Sequence, residues 1–146
     1  MRWLAVSRAL ACLLAADAAP AWAATCDITP QSVSFGAYDP TEAGDLDGVG
    51  TVSIDCDVEV SVTITLSTGA AGSYAPRTMA GGADHIRYNL FTGPQRVVVW
   101  GDGSGGSATV SATMQNQDFT IYGTIPARQN VGAGAYADTV VVTITY

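Results

Sequence analysis

Residues 139–146, TVVVTITY, end the chain on a strong β-strand signal. Side chains alternate over eight residues, and a period of two is typical of a half-buried strand. One face carries large apolar side chains: Val140, Val142, Ile144 and Tyr146. Edge strands are usually blunted by lysine, proline or a bulge, and this segment has neither lysine nor proline. We therefore expect its free backbone edge to pair with a strand from another chain.

The same alternation recurs through most of the chain after residue 23. Six further segments are predicted strands, separated by glycine-rich turns: 50–56, 58–66, 86–91, 97–100, 109–114 and 119–125. No stretch after residue 23 shows a convincing helical period of 3.6 residues. Alternation, rather than continuous apolar runs, indicates sheets with one buried face and one solvated face. The pattern predicts an all-β fold, a sandwich or barrel of immunoglobulin-like type.

The first 23 residues have the pattern of a signal peptide. They combine a basic start, a short apolar run over residues 9–16 and an A-x-A cleavage signal at residues 21–23. A lipoprotein signal at Cys12 is the disfavoured alternative, because the apolar run before it is too short. We expect residues 1–23 to be removed and residues 24–146 to form one exported domain. No later run reaches about eighteen apolar residues, so direct membrane insertion is not expected.

The predicted mature chain is acidic. It keeps four arginines and twelve acidic residues, so its formal charge is 4 − 12 = −8, and it contains no lysine. Binding to nucleic acid or to an anionic membrane surface requires a basic patch, and the sequence has none. Neither partner is expected.

Two cysteines remain after the predicted processing, Cys26 and Cys56. Two cysteines in an exported protein most often pair, so we expect a disulfide bond. A metal-binding or redox pair is the disfavoured alternative, because the two residues are far apart in sequence and have no histidine nearby.

No residue set in the sequence predicts catalysis. His85, Asp102 and Ser104 follow the chain order of one hydrolase triad, but Asp102 lies too close to Ser104 to orient the histidine as well. Residues 45–48, DLDG, hint at a calcium loop and lack its remaining ligands and closing glutamate. No Walker motif or dinucleotide fingerprint is present. We expect no enzyme, no metal site and no cofactor.

Aromatic side chains offer a weak alternative, a sugar-binding platform. The candidates are Tyr74, Trp100, Tyr122 and Tyr136. In a small sandwich such residues are more often part of the packing.

Several short motifs, by their order and spacing, resemble the spore coat protein U domain family, which supplies subunits of archaic chaperone–usher pili. The motifs are FGAYDP (35–40), GTVSIDC (50–56), RTM (77–79), YNLF (88–91), VWGDG (99–103), YGTIPARQN (122–130) and GAYADTV (134–140). The resemblance covers nearly the whole predicted mature chain.

The resemblance implies an incomplete immunoglobulin-like β-sandwich of the pilin type, which lacks its last strand. A periplasmic chaperone would fill the gap first, and a donor strand from a neighbouring pilus subunit would replace it at an outer-membrane usher. The chain would pass through the periplasm to the cell surface. In the family the corresponding cysteines pair, here Cys26 with Cys56. The terminal segment would border the strand-acceptor groove and form the chaperone interface, with Val140, Val142, Ile144 and Tyr146.

The N-terminus departs from the family pattern. Subunits that polymerise usually carry a longer donor segment before the first cysteine, whereas cleavage after Ala23 leaves only Ala24 and Thr25. We expect the subunit to accept a strand and donate none, as a tip or cap that supports adhesion or biofilm formation. Two alternatives remain open: a secreted, self-folding lectin-like adhesin, and a coat or matrix protein outside any pilus.

Overall fold

The computed structural model describes residues 23–146. These residues form six strands and a short 3₁₀ turn at Gly69–Ala71; the strands are β1 Cys26–Ser34, β2 Leu46–Leu66, β3 Arg77–Gly81, β4 Asp84–Phe91, β5 Val110–Ile125 and β6 Val142–Thr145. The all-β prediction is confirmed. The predicted signal peptide falls, except for Ala23, outside the described residues. Within the described part, no helix has the length and apolar character needed to span a membrane.

β2 and β5 form a long antiparallel ribbon that runs through the whole fold. The register is regular except at one place, where Asp55 pairs with Asn116 and Val60 pairs with Met114. The intervening residues of β2 all lie opposite Gln115. Extra residues on one strand bend it and increase its twist. The ribbon therefore folds over at this bulge, and its two halves face each other across the core.

The core is filled by alternate side chains of both halves of the ribbon and of the strands beside it. The most deeply buried apolar side chains are Val52, Ile54, Val62, Ile64, Leu66, Ile86 and Trp100. The Trp100 indole N–H donates to the C=O of Ile64 at 3.1 Å, which satisfies its one polar group inside the core.

The curled sheet has the order β1–β2–β5–β4–β3, and β6 also pairs with β2. Because β5 occupies one edge of β2, β1 and β6 share the other edge: β1 lies along the first half and β6 along the second. Just before β6, Ala137 bridges Ala80 of β3. In residues 23–146 the curled sheet therefore remains open between β1 and the C-terminal segment, which do not pair with each other.

Four of the predicted strands are parts of two longer ones. Predicted segments 50–56 and 58–66 both lie in β2, and segments 109–114 and 119–125 lie almost entirely in β5. The ladder between β2 and β5 continues past the bulge, so the chain makes no turn where the sequence pattern suggested one.

The apolar run 97–100 forms no strand, contrary to the prediction. Val99 and Trp100 each make a single bridge, and Val97 is 78% exposed. A strand requires a partner along its length, and this segment has partners only at isolated points. The structure also contains β1 and β3, which the sequence pattern did not reveal.

A disulfide bond joins Cys26 to Cys56, the expected pair. The two cysteines lie directly opposite each other where β1 begins to pair with β2. The bond therefore fixes the start of β1 to the bulged region of β2.

Removing this bond by the double substitution Cys26→Ala, Cys56→Ala is expected to lower the free energy of unfolding by about 3–4 kcal/mol, because the open chain regains loop entropy on unfolding. Urea denaturation of the oxidised protein and of the variant measures the difference. Wild-type protein reduced with dithiothreitol serves as the control and should lose a similar amount. A loss below about 1 kcal/mol would show that the strand ladder alone holds β1.

Candidate functional site: an open groove between two strand edges

A groove runs between two segments that do not pair with each other. Residues 26–40, β1 and the loop after it, are here called the first wall. Residues 131–146, the segment that ends in β6, are called the terminal wall. Each wall is attached to the sheet along one edge, and its other edge faces the groove.

The two walls meet at one end of the groove, and at the other end the first wall meets the segment just before the terminal wall. At one end the Cys26 N–H donates to the Tyr146 hydroxyl at 3.4 Å. At the other end the Tyr38 hydroxyl donates to the C=O of Pro126 at 2.9 Å and accepts from the Gln129 N–H at 2.7 Å. The start of the first wall thus meets the end of the terminal wall, so the two walls run antiparallel.

Two adjoining cavities, of about 330 and 770 Å³, occupy the groove. Val33, Phe35, Met79 and Asp138 line both, so the space is continuous. Its floor consists of core side chains: Leu66, Met79, Ile86, Tyr88, Leu90, Ile121 and Ile125. An open groove over core side chains is the geometry of a sandwich with one strand position vacant.

Three of the four apolar residues named for the terminal wall face the core. Val140, Val142 and Ile144 are half-buried against the core, whereas Val141 is 59% exposed. Val140 and Val142 line the smaller cavity. The regular strand is shorter than predicted, since β6 spans only Val142–Thr145. Tyr146 closes the end of the groove, and its side chain is 52% exposed.

Ser67, just after β2, anchors the terminal wall. Its N–H donates to the C=O of Val141, and its hydroxyl oxygen accepts from the N–H of Val141, both at 2.9 Å. Both backbone groups of Val141 therefore point away from the groove. The anchoring residue is itself fixed, because its C=O accepts two hydrogen bonds from Arg77.

The Arg77 guanidinium is fully buried below this anchor. It donates to the C=O of Ser67 at 2.8 and 3.0 Å, to the C=O of Trp100 at 2.7 Å and to Oδ1 of Asn89 at 2.9 Å. Its Cζ atom lies 4.9 Å from the ring centre of Tyr74. Burial lowers the pKa of Arg77, but arginine remains charged in proteins. The group links three separate segments under the groove.

Asp138 holds the middle of the terminal wall. Its carboxylate accepts from the Tyr88 hydroxyl at 2.6 Å, from the Ala70 N–H at 2.9 Å and from the Thr139 N–H at 2.8 Å. Burial, and next the hydrogen bond from the Tyr88 hydroxyl to Asp138, raise the pKa of Tyr88 well above its ordinary value. Gly69 has φ +67°, and a Cβ there would collide with the Asp138 carboxylate. The turn and the wall therefore fit only with glycine at this position.

Phe35 of the first wall packs against the sheet rather than across the groove. A Cβ added to Gly123 would lie 2.6 Å from the Phe35 ring and 2.9 Å from Val33. The Phe35 ring also meets Tyr88 edge-on, with centroids 6.1 Å apart. The side chains of Val33 and Phe35 pack on Gly123 and also line the groove.

The residues that imitate a hydrolase triad form a local turn. Oδ1 of Asp102 accepts from the Ser104 N–H at 2.9 Å and from its hydroxyl at 2.6 Å. These two hydrogen bonds lower the pKa of Asp102. His85 lies on β4 opposite Ala80, and within residues 23–146 no hydrogen bond joins it to either residue. This arrangement cannot activate the Ser104 hydroxyl in the manner of a triad.

The carboxylates of the DLDG segment bind protein groups. Asp45 accepts from the Ala127 N–H at 2.9 Å, and Asp47 accepts from the Thr124 hydroxyl at 2.8 Å and pairs with Arg96 at 3.1 Å. In the described part of the chain, no group of three or more His, Cys, Asp or Glu side chains is placed to hold a metal ion.

The aromatic candidates for a sugar platform are dispersed. Tyr74 and Trp100 are buried in the interior. Tyr122 lies beneath the Arg96 guanidinium at 5.7 Å, and Tyr136 packs over a glycine of β3. No pair of these rings forms an exposed stacking surface in residues 23–146.

Comparison of the sequence with known proteins finds a family model and a relative. The model of the Spore Coat Protein U domain matches residues 12–143. "Protein U" of Myxococcus xanthus is 35% identical over 128 residues, which are 79% of this chain and 72% of that protein.

Two solved structures have a similar fold. One is the CsuC–CsuE chaperone–tip adhesion subunit pre-assembly complex from archaic chaperone–usher Csu pili of Acinetobacter baumannii, with a TM-score of 0.63 and 22% identity over 85% of this chain and 40% of that chain. The other is a chaperone–tip adhesin complex of CFA/I fimbriae biogenesis, with a TM-score of 0.51 and 15% identity over 82% of this chain and 42% of that chain. The chain thus spans about two fifths of the length of these two matched chains, and at such identities they show the fold alone.

The fold is that of pilin-type subunits, and the family match extends over most of the sequence, including both cysteines and both walls of the groove up to residue 143. The chain belongs to the Spore Coat Protein U domain family.

Proposed function

We propose that this chain is a structural subunit of a surface pilus assembled by the chaperone–usher route. The groove is the observation that carries the proposal. Its floor is made of core side chains, and both of its walls have backbone edges that no strand within residues 23–146 covers. Exposed apolar surface and unpaired N–H and C=O groups both favour the addition of one more strand.

The fold and the family support this interpretation. One of the structures that shares the fold is a pre-assembly complex of a chaperone with a tip adhesion subunit. By the same logic, the partner of this chain in the periplasm is an immunoglobulin-like chaperone that lends a strand to the groove. A strand from a neighbouring subunit then replaces the chaperone strand at an outer-membrane usher, and the subunit ends at the cell surface.

A position at one end of the fibre is the finer proposal. Processing after Ala23 would leave Ala24 and Thr25 before β1, which reach about 7 Å, and a typical strand of five or six residues needs more. Such a subunit accepts a strand and donates none, so it would act as a tip or cap in adhesion or biofilm formation. Mass spectrometry of the mature N-terminus tests this, since a donor-length segment before Cys26 would exclude it.

A pull-down from the periplasm of the native organism tests the main proposal, with the tag placed between residues 24 and 26 so that Tyr146 remains free. We expect a stoichiometric immunoglobulin-like chaperone, identified by mass spectrometry. Val140→Asn should reduce its recovery roughly tenfold, because the amide enters an apolar groove without a partner. Val141→Asn is the matched control, since Val141 points outward.

The outcome distinguishes the candidate functions. Equal recovery with both variants would show that the groove is not the contact. A heat-stable monomer without a partner would favour the self-folding adhesin or the coat protein. The coat-protein alternative gains some support from the likeness to Protein U, and it differs from the pilus proposal in requiring no foreign strand in the groove.

A further inference from the structure

We propose that the edge of β5 that faces away from β2, here called the outer edge, is a self-association surface at which two copies of the chain pair their β5 strands antiparallel about Ala112. In this half of the ribbon β2 separates β5 from β6, so the outer edge lies on the side remote from the groove. The proposal therefore does not depend on whether the groove receives a strand.

The outer edge of β5 is without a strand partner over most of its length. β2 pairs with β5 along both halves of the ribbon, whereas β4 pairs with the other side of β5 only at residues 122–124. Within residues 23–146, no strand covers the outer edge of residues 110–121. This stretch contains neither lysine nor proline, and the extra residues of the bulge belong to β2. The common devices that prevent pairing at a strand edge are thus absent from it.

The backbone groups of Ser111 and Thr113 point to the outer edge. The Ser67 N–H donates to the C=O of Val141, just before β6. By alternation, odd-numbered residues in this half of β2 direct their backbone groups to the terminal wall, and even-numbered residues direct theirs to β5. The residues of β5 opposite the even-numbered ones use their backbone groups for β2: Val110, Ala112 and Met114. The N–H and C=O groups of Ser111 and Thr113 are left for a partner.

Charge favours a second copy of the chain as that partner. The chain has a formal net charge of −7, so two copies repel each other over most of their surface. Residues 107–117 carry no charge, so two copies can approach at this part of the outer edge with little repulsion. The remaining part, residues 118–121, is less suited, because self-pairing there would bring two Asp118 carboxylates close together.

Pairing about Ala112 satisfies the free backbone groups of both strands. A two-fold axis at this residue places Ser111 of each copy opposite Thr113 of the other. These two pairs would exchange about four hydrogen bonds. Ala112 would lie opposite itself in a pair without hydrogen bonds, in which the Cα atoms are only about 4.5 Å apart. A small side chain suits this close approach.

The outward side chains of the two paired residues would extend a hydroxyl ladder that the fold already contains. The Ser111 hydroxyl lies 3.1 Å from that of Thr63, and the Thr113 hydroxyl lies 2.7 Å from that of Ser61. Such Ser–Thr pairs stabilise neighbouring strands. Across the two-fold axis Ser111 would meet Thr113 of the second copy, so one kind of contact would join strands within and between copies.

The predicted association is weak, because the paired strands are short and an interface of this size is small. We expect a monomer–dimer equilibrium with a Kd on the order of 100 µM for the free chain. Sedimentation equilibrium over about 10 µM to 1 mM measures it. Copies held side by side in a fibre or a coat would pair more firmly, since each contact raises the effective concentration for the next.

Cysteine crosslinking tests the register. The Ala112→Cys variant brings two thiols within disulfide reach across the two-fold axis. Ser111→Cys is the matched control, because its side chain is more exposed but its symmetry mate lies about 8 Å away, beyond that reach. Cys26 and Cys56 are bonded to each other and do not compete. Under mild oxidation with copper phenanthroline we expect Ala112→Cys to form dimers at least tenfold faster. Equal or faster crosslinking of Ser111→Cys would overturn the proposal.

A charge variant tests the surface itself. Ser111→Lys places a lysine at the outer edge and should weaken association at least tenfold in sedimentation equilibrium. Ser61→Lys, on the same hydroxyl face but on β2, loses an equivalent hydroxyl contact and should change the Kd by less than about threefold.

This comparison also decides the question if Ala112→Cys does not fold. A chain that stays monomeric at about 1 mM would overturn the proposal, and so would association that Ser111→Lys leaves unchanged. Association through the groove would respond instead to Val140→Asn, which lies on the other side of β2. Failure of the β5 pairing would therefore leave the proposed pilus function untouched.

Discussion

A strand added after Tyr146 is expected to raise the melting temperature by roughly 10 °C, or about 3 kcal/mol. The extension is Asn-Gly-Val-Thr-Val-Thr-Val-Thr-Val, in which Asn-Gly forms a two-residue hairpin turn. The added strand would then lie antiparallel to the terminal wall and inside the groove. Its four valines would lie on the groove face, opposite Tyr146 and the three inward side chains of that wall: Ile144, Val142 and Val140. Together the valines are expected to contribute about 3 kcal/mol after the cost of ordering the chain.

The matched control is the extension Asn-Gly-Thr-Val-Thr-Val-Thr-Val-Thr. A shift of one residue turns every side chain of a strand to the other face, so this version presents threonine to the apolar floor. Thermal unfolding followed by circular dichroism measures both proteins. If the two extensions stabilise equally, or neither stabilises, then the groove does not receive a strand in the proposed manner.

Replacing Arg77 with lysine is expected to lower the free energy of unfolding by about 3–5 kcal/mol. The substitution keeps the positive charge inside the protein but loses the planar fork that serves Ser67, Trp100 and Asn89 together. Lysine can reach only part of this set, and the remaining buried carbonyl groups would lose their donors. The C=O of Ser67 belongs to the anchor of the terminal wall, so strand binding should weaken as well.

Urea denaturation of Arg77→Lys and of Arg87→Lys provides the comparison. Arg87 lies on the neighbouring strand with an exposed side chain, and its substitution should change the stability by less than about 0.5 kcal/mol. Similar values for the two variants would mean that the buried hydrogen bonds of Arg77 do not stabilise the fold.

Sequence patterns predicted the strands well where apolar and polar residues alternate strongly. They failed where the structure depends on a bulge, a buried polar residue or the presence of a partner strand. The bulge in β2 could not be predicted from the sequence, because Cys56 and Val58 are two residues apart and so continue the alternation of apolar residues. In the structure Val58 is 52% exposed, whereas Cys56 is buried. β3 was missed because a buried arginine occupies an inward position that usually carries an apolar residue. The run at 97–100 looked like a strand because composition does not reveal whether a partner strand exists.

The groove could be predicted only in part. The terminal wall was found from its own alternation, since all its inward residues lie within one short segment. The floor comes from strands that are distant in sequence, so no local pattern marks it. The first wall was hidden because Pro30 and the polar residues beside it weaken the alternation of β1.

The position of the disulfide bond has a consequence for the timing of assembly. Cys26 is both the residue that the bond fixes and the residue whose N–H meets Tyr146 at the closed end of the groove. In a reducing compartment the start of β1 is held by its ladder with β2 and by this hydrogen bond, without a covalent link. Oxidation therefore adds the covalent constraint on the width of the groove at this corner. If the chain acts as proposed, its receptor for a foreign strand would reach full rigidity only in an oxidising compartment, which would disfavour premature pairing between subunits before export.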